Sequence, residues 1–286
     1  MKKIVLSILM FTACVPILAQ SSDIPITIKQ LRQIKTDCPD ADIPTAARPL
    51  LTQLKQQLFI LLSETIQSPK NQQKSPVQLQ TITLKKLAEL GVKTGESPNE
   101  KPDEYRYGDI YDIKVKRGGE NLNLLAATIT IGVCCGQDTS LYIFKRIRSR
   151  WQLALRQEAN DYKDVSGAQG IFHYAISKLD SKQNFFVVTA RVTPWCTSAW
   201  QGLYYQVLRP SLRPEFPKIL LAQKEIIYLG NDLIYKLRLT SNTFSLRFET
   251  KATNQQFESG ILSRLRTLKY VVIRNDVKKI FSSRRK

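Results

Sequence analysis

The chain has 286 residues and a formal net charge of +19 at pH 7, with 43 Lys and Arg residues against 24 Asp and Glu residues. Hydrophobic residues make up 43% of the sequence, which excludes an intrinsically disordered chain and is enough to build one large β domain or two small domains. The excess of positive charge favours anionic partners through long-range attraction.

The N-terminus has the residue order of a secretory signal peptide. Lys2 and Lys3 come first, and an uncharged, largely apolar run from Ile4 to Ala19 follows them. We therefore predict a signal peptide over residues 1–19 and a periplasmic or extracellular mature protein with no transmembrane span, because the run is too short for a typical membrane-spanning helix. In an alternative interpretation, Cys14 ends a lipobox and the mature protein is lipid-anchored through Cys14.

Two amphipathic helices are predicted next, within a helical N-terminal region over residues 20–93. Leucines recur at helical spacing between Thr45 and Ile66 and form one apolar face. A second helix is predicted to begin at Ser75, where a proline in the first turn and Gln78 complete a capping-box pattern, and to end at Gly91. These two segments predict a helical hairpin whose apolar faces pack inside the protein.

A β domain is predicted over residues 105–286, after a linker at residues 94–104 that is rich in Pro, Gly and Asn. Beyond the linker the apolar period changes from 3.6 to 2, for example over residues 111–116 and 233–239. Tight-turn signals occur at Gly118 with Gly119, at Gly230 with Asn231, and at Ser241 with Asn242. The sequence is therefore typical of a meander of short antiparallel strands.

The predicted strands form about three units of four strands each, which begin near residues 105, 171 and 226. Cys135 and Cys196 fall at equivalent points of the first two units. Such a repeat suggests stacked or radially arranged sheets, as in propeller blades. Three units are fewer than an ordinary propeller uses, so an open sandwich fits as well. The predicted fold class is mainly β, with propeller-like or open-sandwich meanders after the helical hairpin.

Four cysteines remain once the predicted leader is removed: Cys38, Cys134, Cys135 and Cys196. An even number of cysteines in an oxidising compartment favours disulfides. Adjacent cysteines seldom bridge each other because the ring distorts the peptide, so we expect Cys134 or Cys135 to pair with Cys196 and the other with Cys38. No pair has the spacing of a structural zinc site, and we predict no metal or other cofactor.

Two cysteine-bearing stretches, residues 134–139 and 194–198, resemble those of secreted bacterial β-meander proteins with propeller-blade-like units and no assigned activity. The resemblance covers roughly residues 105–275. It implies a β-meander fold and brings no activity or cofactor with it.

No motif of a known catalytic class is present, and we predict no catalytic residue. His173 is the only histidine and lies in a strand-like run, so it is interpreted as a structural residue. Glycan hydrolysis by two carboxylates remains open, because that chemistry needs only two suitably spaced acids. The acids proposed for it are Asp138, Glu158, Asp161 and Asp164.

Ligand-binding candidates surround the cysteine loops. Trp195 and Trp200 flank Cys196, and aromatic rings beside hydroxyl and amide groups suit stacking on sugar rings. Packing of a tryptophan on a disulfide is the alternative for both. The candidate set is Trp195, Trp200, Asp138, Asp161 and Asp164.

Positive charge is concentrated at the C-terminus, where residues 261–286 carry nine bases and one acid. The candidates for binding an anionic polymer are Lys278, Lys279, Arg284, Arg285 and Lys286. Our leading hypothesis is an exported, non-catalytic binding or envelope-associated protein that engages an anionic surface polymer or polysaccharide through basic strands and a C-terminal tail. Nucleic acid is not a predicted partner because the protein is predicted to be exported. The alternative is a carboxylate-dependent hydrolase that acts on glycans.

Overall fold

The computed structural model describes residues 23–34, 43–95, 107–119, 121–133, 136–159, 162, 172–192, 200–228, 235–251 and 263–280. Within these ranges, three α-helices precede twelve strands, and the strands form three four-stranded antiparallel sheets. The predicted fold class is confirmed, since the chain is mainly β and its meander sheets follow N-terminal helices.

The helical layer contains α1 (Ile24–Arg32), α2 (Ala47–Gln67) and α3 (Pro76–Glu89). The predicted hairpin corresponds to α2 and α3, which a short 3-10 turn at Pro69–Asn71 connects. The predicted capping box is present at α3. The Ser75 hydroxyl accepts a hydrogen bond from the backbone N–H of Gln78, and the Gln78 side chain accepts one from the backbone N–H of Ser75.

The short helix α1 is a feature that the sequence analysis did not predict. Ile24, Ile28 and Leu31 are buried on one face of it, at the i, i+4 and i+7 positions. Nine residues give only two and a half turns. An apolar pattern that repeats over so few residues is hard to distinguish from the pattern of an irregular segment, particularly next to an apolar leader.

Each sheet is a meander whose strands pair in chain order. The first sheet has β1 (Ile110–Gly118), β2 (Asn121–Val133), β3 (Gly136–Ile147) and β4 (Arg150–Gln157). The second has β5 (Phe172–Ile176), β6 (Val187–Val192), β7 (Trp200–Arg209) and β8 (Lys218–Tyr228). The third has β9 (Tyr235–Leu239), β10 (Thr243–Lys251), β11 (Ser263–Ile273) and β12 (Asp276–Lys279).

The turns between strands occur where the sequence predicted them in two cases. Gly119 has a φ of +67° between β1 and β2, and Ser241 with Asn242 separates β9 from β10. The β3–β4 hairpin turns through Arg148 and Ser149, both with positive φ, as a tight two-residue hairpin requires. The predicted turn at residues 230 and 231 lies outside the described residues.

The molecule is a stack of four layers, because three apolar clusters join neighbouring layers in order. The first cluster packs the three helices on one face of the first sheet. The second joins the opposite face of the first sheet, through residues such as Leu141 and Ile143, to Phe185 and Val187 of the second sheet unit. The third joins the second and third sheets around Tyr205, Leu246 and Tyr270. A propeller-like arrangement of these sheets stays a prediction.

The described part of the predicted linker pairs with the first sheet: Thr94 forms an isolated bridge with Ile110, and the Gly95 N–H donates a 3.0 Å hydrogen bond to the Ile110 carbonyl. The predicted leader and residues 96–106 lie outside the described residues. None of the described helices combines the length and apolar character that crossing a bilayer requires.

Candidate functional site

Most of the predicted site residues lie outside the part of the chain that the structure describes: Cys38, Cys134, Cys135, Asp161, Asp164, Trp195, Cys196, Arg284, Arg285 and Lys286. Trp200 begins β7 and its backbone pairs with Tyr228, while its side chain is also outside the description. The disulfides and the tryptophan hypothesis therefore stay predictions.

Asp138 lies inside the protein, between β3 and the helical layer. Its Oδ2 atom is 3.0 Å from Nζ of Lys55 on α2, and the two side chains are 0% and 2% exposed. Lys55 also donates to the carbonyl of Ala159, and the Tyr162 hydroxyl donates to Asp138. Burial raises the pKa of Tyr162 well above its usual value, and the Asp138 carboxylate adds to that shift. Through these contacts, Asp138 and Lys55 connect the segment after β4 to α2.

A second polar cluster at the same layer boundary contains Glu158. Its carboxylate accepts a hydrogen bond from the Tyr142 hydroxyl and forms a 2.8 Å ion pair with Arg156. The Arg156 guanidinium also donates to Gln56 on α2 at 2.7 Å and lies 4.3 Å from the ring centre of Phe59. Burial raises the pKa of Tyr142, and Glu158 raises it further.

A cleft with a volume of about 580 Å³, hereafter the polar cleft, lies where the first strands of the three sheets come together. The first sheet contributes Tyr111, Asp112, Lys114, Lys116, Thr128, Thr130, Gln137 and Thr139, and the other two sheets contribute Phe172, His173, Tyr174 and Leu237. The lining thus combines charged groups, hydroxyls and aromatic rings.

The alternation of β1 explains the charged wall of the polar cleft. Ile113 and Val115 are buried against the helices, so Lys114 and Lys116 project from the opposite face, towards the second sheet. Asp112 also lines the cleft and forms an ion pair with Lys114. The polar cleft is therefore a consequence of a strand that has one apolar face and one charged face.

The hydroxyl wall comes from β2 and β3. In the pairing of β1 with β2, Thr128 is opposite Lys114 and Thr130 is opposite Asp112. In the pairing of β2 with β3, Thr130 is opposite Thr139. The hydroxyls of Thr130 and Thr139 are 3.1 Å apart and hydrogen-bond to each other. These side chains place hydrogen-bonding groups beside the charged wall.

The third wall of the polar cleft is aromatic and lies on β5. The rings of Phe172 and Tyr174 are 6.2 Å apart between centroids, and the His173 ring is 4.8 Å from that of Tyr235. Partial burial lowers the pKa of His173 and raises that of Tyr174. His173 thus lines a cleft and packs on an aromatic ring, which the sequence analysis did not anticipate.

Both cysteine-bearing stretches follow strands that end close in sequence to the polar cleft. β2 ends at Val133, three residues after the cleft residue Thr130. β6 ends at Val192, next to Arg191, which pairs with the cleft residue Phe172. The cysteines themselves lie outside the described residues.

A second cleft, of about 440 Å³, opens between β4 and the β7–β8 connection. Its charged residues are Arg156, Glu158, Arg191 and Glu215. The backbone N–H of Arg156 donates a 2.8 Å hydrogen bond to the carbonyl of Pro214, which fixes the connection against the first sheet. Two carboxylates and two guanidinium groups therefore line one cleft.

The outer face of the third sheet is strongly basic, and we call it the basic face. Phe244, Leu246 and Phe248 point into the core, so the alternate residues of β10 and their cross-strand partners point outwards. The bases on this face are Lys236, Arg238, Arg247, Lys251, Lys269 and Lys278, and its acids are Glu249 and Asp276. All six bases are exposed.

Lys278 and Lys279, two of the candidates for polymer binding in the basic C-terminal segment, belong to β12. Lys278 pairs with Val271 and shares the basic face, whereas Lys279 pairs with Tyr270 and lies at the alternate position. Asp276 is 3.8 Å from Lys278, and both side chains are more than half exposed. Two of the five predicted polymer-binding residues are thus placed on an ordered edge strand.

Sequence reasoning missed the polar cleft, and of the residues on the basic face it singled out Lys278 alone. The signal for both was present in the period-2 alternation of residues 111–116 and 233–239. Alternation separates the two faces of a strand, but it does not say which face meets another sheet and which meets solvent. That choice depends on the stacking order of the three sheets.

Comparison with protein-family models gives no match, and comparison with curated proteins gives none either. Among solved structures, the chain has a remote similarity to the catalytic domain of the Coprinopsis cinerea GH62 alpha-L-arabinofuranosidase, with 12% identity over 68% of this chain and 74% of that chain. The TM-score is 0.18, a value that carries no information on fold or activity.

Proposed function

We propose that this is an exported binding protein that holds an anionic polysaccharide on the basic face of its third sheet. The observation that carries the proposal is the composition of that face, where six exposed bases accompany two acids. The predicted signal peptide supports the polysaccharide as the polymer, because it would place the protein among wall and surface polymers.

Three bases of this face are not compensated within the described part of the protein, whereas Lys278 pairs with Asp276. Lys236, Arg247 and Lys269 form no ion pair with another described residue. Lys236 and Arg247 are directly opposite each other on β9 and β10, where like charges destabilise a sheet. A feature that costs stability without a structural benefit supports a role in binding.

The geometry of the basic face suits an extended polymer. Neighbouring strands lie about 4.8 Å apart, and alternate residues of one strand are about 6.7 Å apart, so the ammonium and guanidinium groups form a regular two-dimensional array. Such an array offers several attachment points to a chain with repeating carboxylates. Each point contributes little by itself, but linked contacts add up through effective concentration.

The proposal predicts that removal of three bases from this face weakens binding to polygalacturonate. The variant Lys236→Gln, Arg247→Gln and Lys269→Gln should lower the affinity at least about tenfold at low ionic strength, if each contact contributes about 0.5 kcal/mol. The affinity of the unmodified protein should fall steeply with added salt, because the Debye length shrinks from about 10 Å at 0.1 M to about 3 Å at 1 M. Biolayer interferometry with immobilised polygalacturonate measures both effects.

A matched control removes the same charge from the other end of the stack. Lys70, Lys74 and Lys93 are exposed residues of the helical region, and their triple change to Gln should leave the affinity within about twofold of the original value. Equal losses in the two triple variants would show that only net charge matters and would refute a dedicated face. An affinity that the first triple variant leaves unchanged would refute the proposal outright.

A carboxylate-dependent glycan hydrolase is the second candidate, and the second cleft supports it. Glu158 and Glu215 line this cleft together, beside Arg156. Hydrolysis by two carboxylates is the chemistry that the sequence analysis left open. The candidate predicts product release from a panel of glycans and its loss in Glu158→Gln and in Glu215→Gln. A panel without turnover by the unmodified protein would exclude it.

A further inference from the structure

The structure assigns a second ligand site to this protein: we infer that the polar cleft binds a short acidic saccharide, with the sugar carboxylate on Lys116, a sugar hydroxyl on Thr128 and the sugar ring against Tyr174. The cleft is separate from the basic face, because Leu237 points into the cleft while the neighbouring Lys236 points outwards. This inference does not depend on the polymer proposed for the basic face.

Thr128 is the residue that points most directly to a ligand. It lines the polar cleft and is 8% exposed, yet its hydroxyl forms no hydrogen bond with another described residue. Its hydroxyl oxygen is not among the described side-chain atoms that are sealed from solvent without a partner, so it is accessible from the cleft and can hydrogen-bond to a ligand there. Its neighbour Thr130 does not share this property, because it is hydrogen-bonded to Thr139.

Lys116 supplies the positive charge for the carboxylate. Asp112 and Lys114 form an ion pair on the same wall, so their charges offset each other. Lys116 lines the cleft but has no ion pair or hydrogen bond within the described ranges. It is opposite Ala126, which makes Thr128 its diagonal neighbour across the strand pair, within reach of a long side chain. One free charge and one free hydroxyl are thus adjacent.

The aromatic wall and the size of the cleft favour a sugar over a simple anion. Tyr174 and Phe172 line the cleft as partly buried aromatic rings, and rings of this kind combine apolar surface with polar edges, as contact with a pyranose requires. The volume of about 580 Å³ falls within the range of about 300–1,000 Å³ that is usual for small-molecule sites. A lone carboxylate such as acetate would leave the aromatic wall unused.

Isothermal titration calorimetry of the full chain with three probes tests the inference. D-glucuronate carries both the sugar ring and the carboxylate, glucose lacks the carboxylate, and acetate lacks the sugar. Glucuronate should bind at least about tenfold more tightly than glucose, as expected for a hydrogen bond to a charged group, and more tightly than acetate. Equal affinities for glucuronate and acetate, or no saturable binding of glucuronate, would overturn the inference.

Two variants test whether glucuronate binds in the polar cleft. Lys116→Gln should reduce glucuronate affinity about tenfold, and the nearly isosteric Thr128→Val should reduce it about two- to tenfold, because each removes one contact. Lys85→Gln, on the exposed side of α3, is the matched control and should change nothing. Unchanged affinity in both cleft variants, with their melting temperatures preserved, would overturn the assignment. Lys236→Gln, Arg247→Gln and Lys269→Gln should retain glucuronate binding, which separates this result from the test of the basic face.

Discussion

At the scale of single residues, the buried Lys55–Asp138 pair is the feature with the greatest energetic consequence. Two charges leave water when this pair forms, and their attraction offsets that cost only if the remaining polar atoms are also satisfied. The Tyr162 hydroxyl donates to Oδ2 of Asp138 and the Ala159 carbonyl accepts from Lys55, whereas Oδ1 of Asp138 is buried without a hydrogen bond to any described residue. The pair therefore connects α2, β3 and the segment that follows β4.

The structure predicts a structural effect for Asp138→Asn, a change of one of the acids proposed from the sequence for glycan hydrolysis. Breaking a buried ion pair from one side costs about 3–5 kcal/mol, because the other charge stays buried without its partner. Asp138→Asn and Lys55→Ala should each lower the free energy of unfolding by an amount in this range, measured by urea denaturation.

Lys85→Ala is the control for this prediction, since Lys85 pairs with Glu89 at 3.9 Å on an exposed helix surface. It should change the free energy of unfolding by less than about 0.5 kcal/mol. A denaturation midpoint that stays unchanged in Asp138→Asn would contradict the buried pair and return Asp138 to the ligand candidates.

The role of Asp138 could not be predicted from its own surroundings in the sequence. Its partner Lys55 is 83 residues away, on the apolar face of α2, four residues after the buried Leu51. A lysine at a core position of an amphipathic helix does signal a buried partner, because a buried charge requires one. The identity of that partner depends on how the helix crosses the first sheet, which no local pattern encodes.

At the scale of secondary-structure elements, the contact between α1 and the first sheet depends on a glycine. Gly108 precedes β1 and has a φ of +82°, and a Cβ atom at this residue would lie 2.7 Å from Cδ1 of the buried Leu31. Only glycine combines this backbone conformation with such a close approach. The residue therefore allows α1 to pack tightly on the sheet.

Gly108→Ala should destabilise the protein more than Gly91→Ala does. Both glycines have positive φ, so each substitution has a backbone cost of about 1–2 kcal/mol. No atom lies within 4 Å of a Cβ placed at Gly91, so only Gly108→Ala adds the overpacking cost, which is about 1–3 kcal/mol. The difference in unfolding free energy, measured by urea denaturation, reports the α1 contact. Equal effects would show that α1 does not pack against residue 108.

The predictability of the elements follows the strength of their periodic signals. The leucine face predicted α2 and the capping box predicted α3. The alternation of apolar and polar residues predicted the strands β1, β9 and β10. The short helix α1 was missed because it lacks a long period. The strand β12 had no periodic signal of its own because its four residues are mostly charged, and its pairing with β11 depends on the turn at Arg274 and Asn275.

At the scale of the whole molecule, the two ends of the stack are chemically different. The helices cover one end, where leucines of α2 pack on the first sheet. The other end is the basic face of the third sheet, which no described element covers. A sheet with one face buried and one face solvated is stable, so the fold allows this face to be used for binding.

The N-terminus and the disulfides of the mature protein test the predicted export. Mass spectrometry of non-reduced peptides should find an N-terminus at Gln20 and a disulfide that links Cys196 to Cys134 or Cys135. The remaining member of the adjacent pair should be linked to Cys38. A protein inside the cell that retains residues 1–19 and has reduced thiols would contradict the compartment and the crosslinks together.

Lysine footprinting tests the central claim most directly, because it reports where an acidic polysaccharide lies on the protein. Acetylation of the full chain with and without polygalacturonate, read by mass spectrometry, compares Lys236, Lys269 and Lys278 on the basic face with Lys70 and Lys74 beside the helices. We predict at least about threefold slower acetylation of the first three lysines in the presence of the polymer, and no change at the other two. Equal protection of both groups, or protection confined to the helical lysines, would contradict the account.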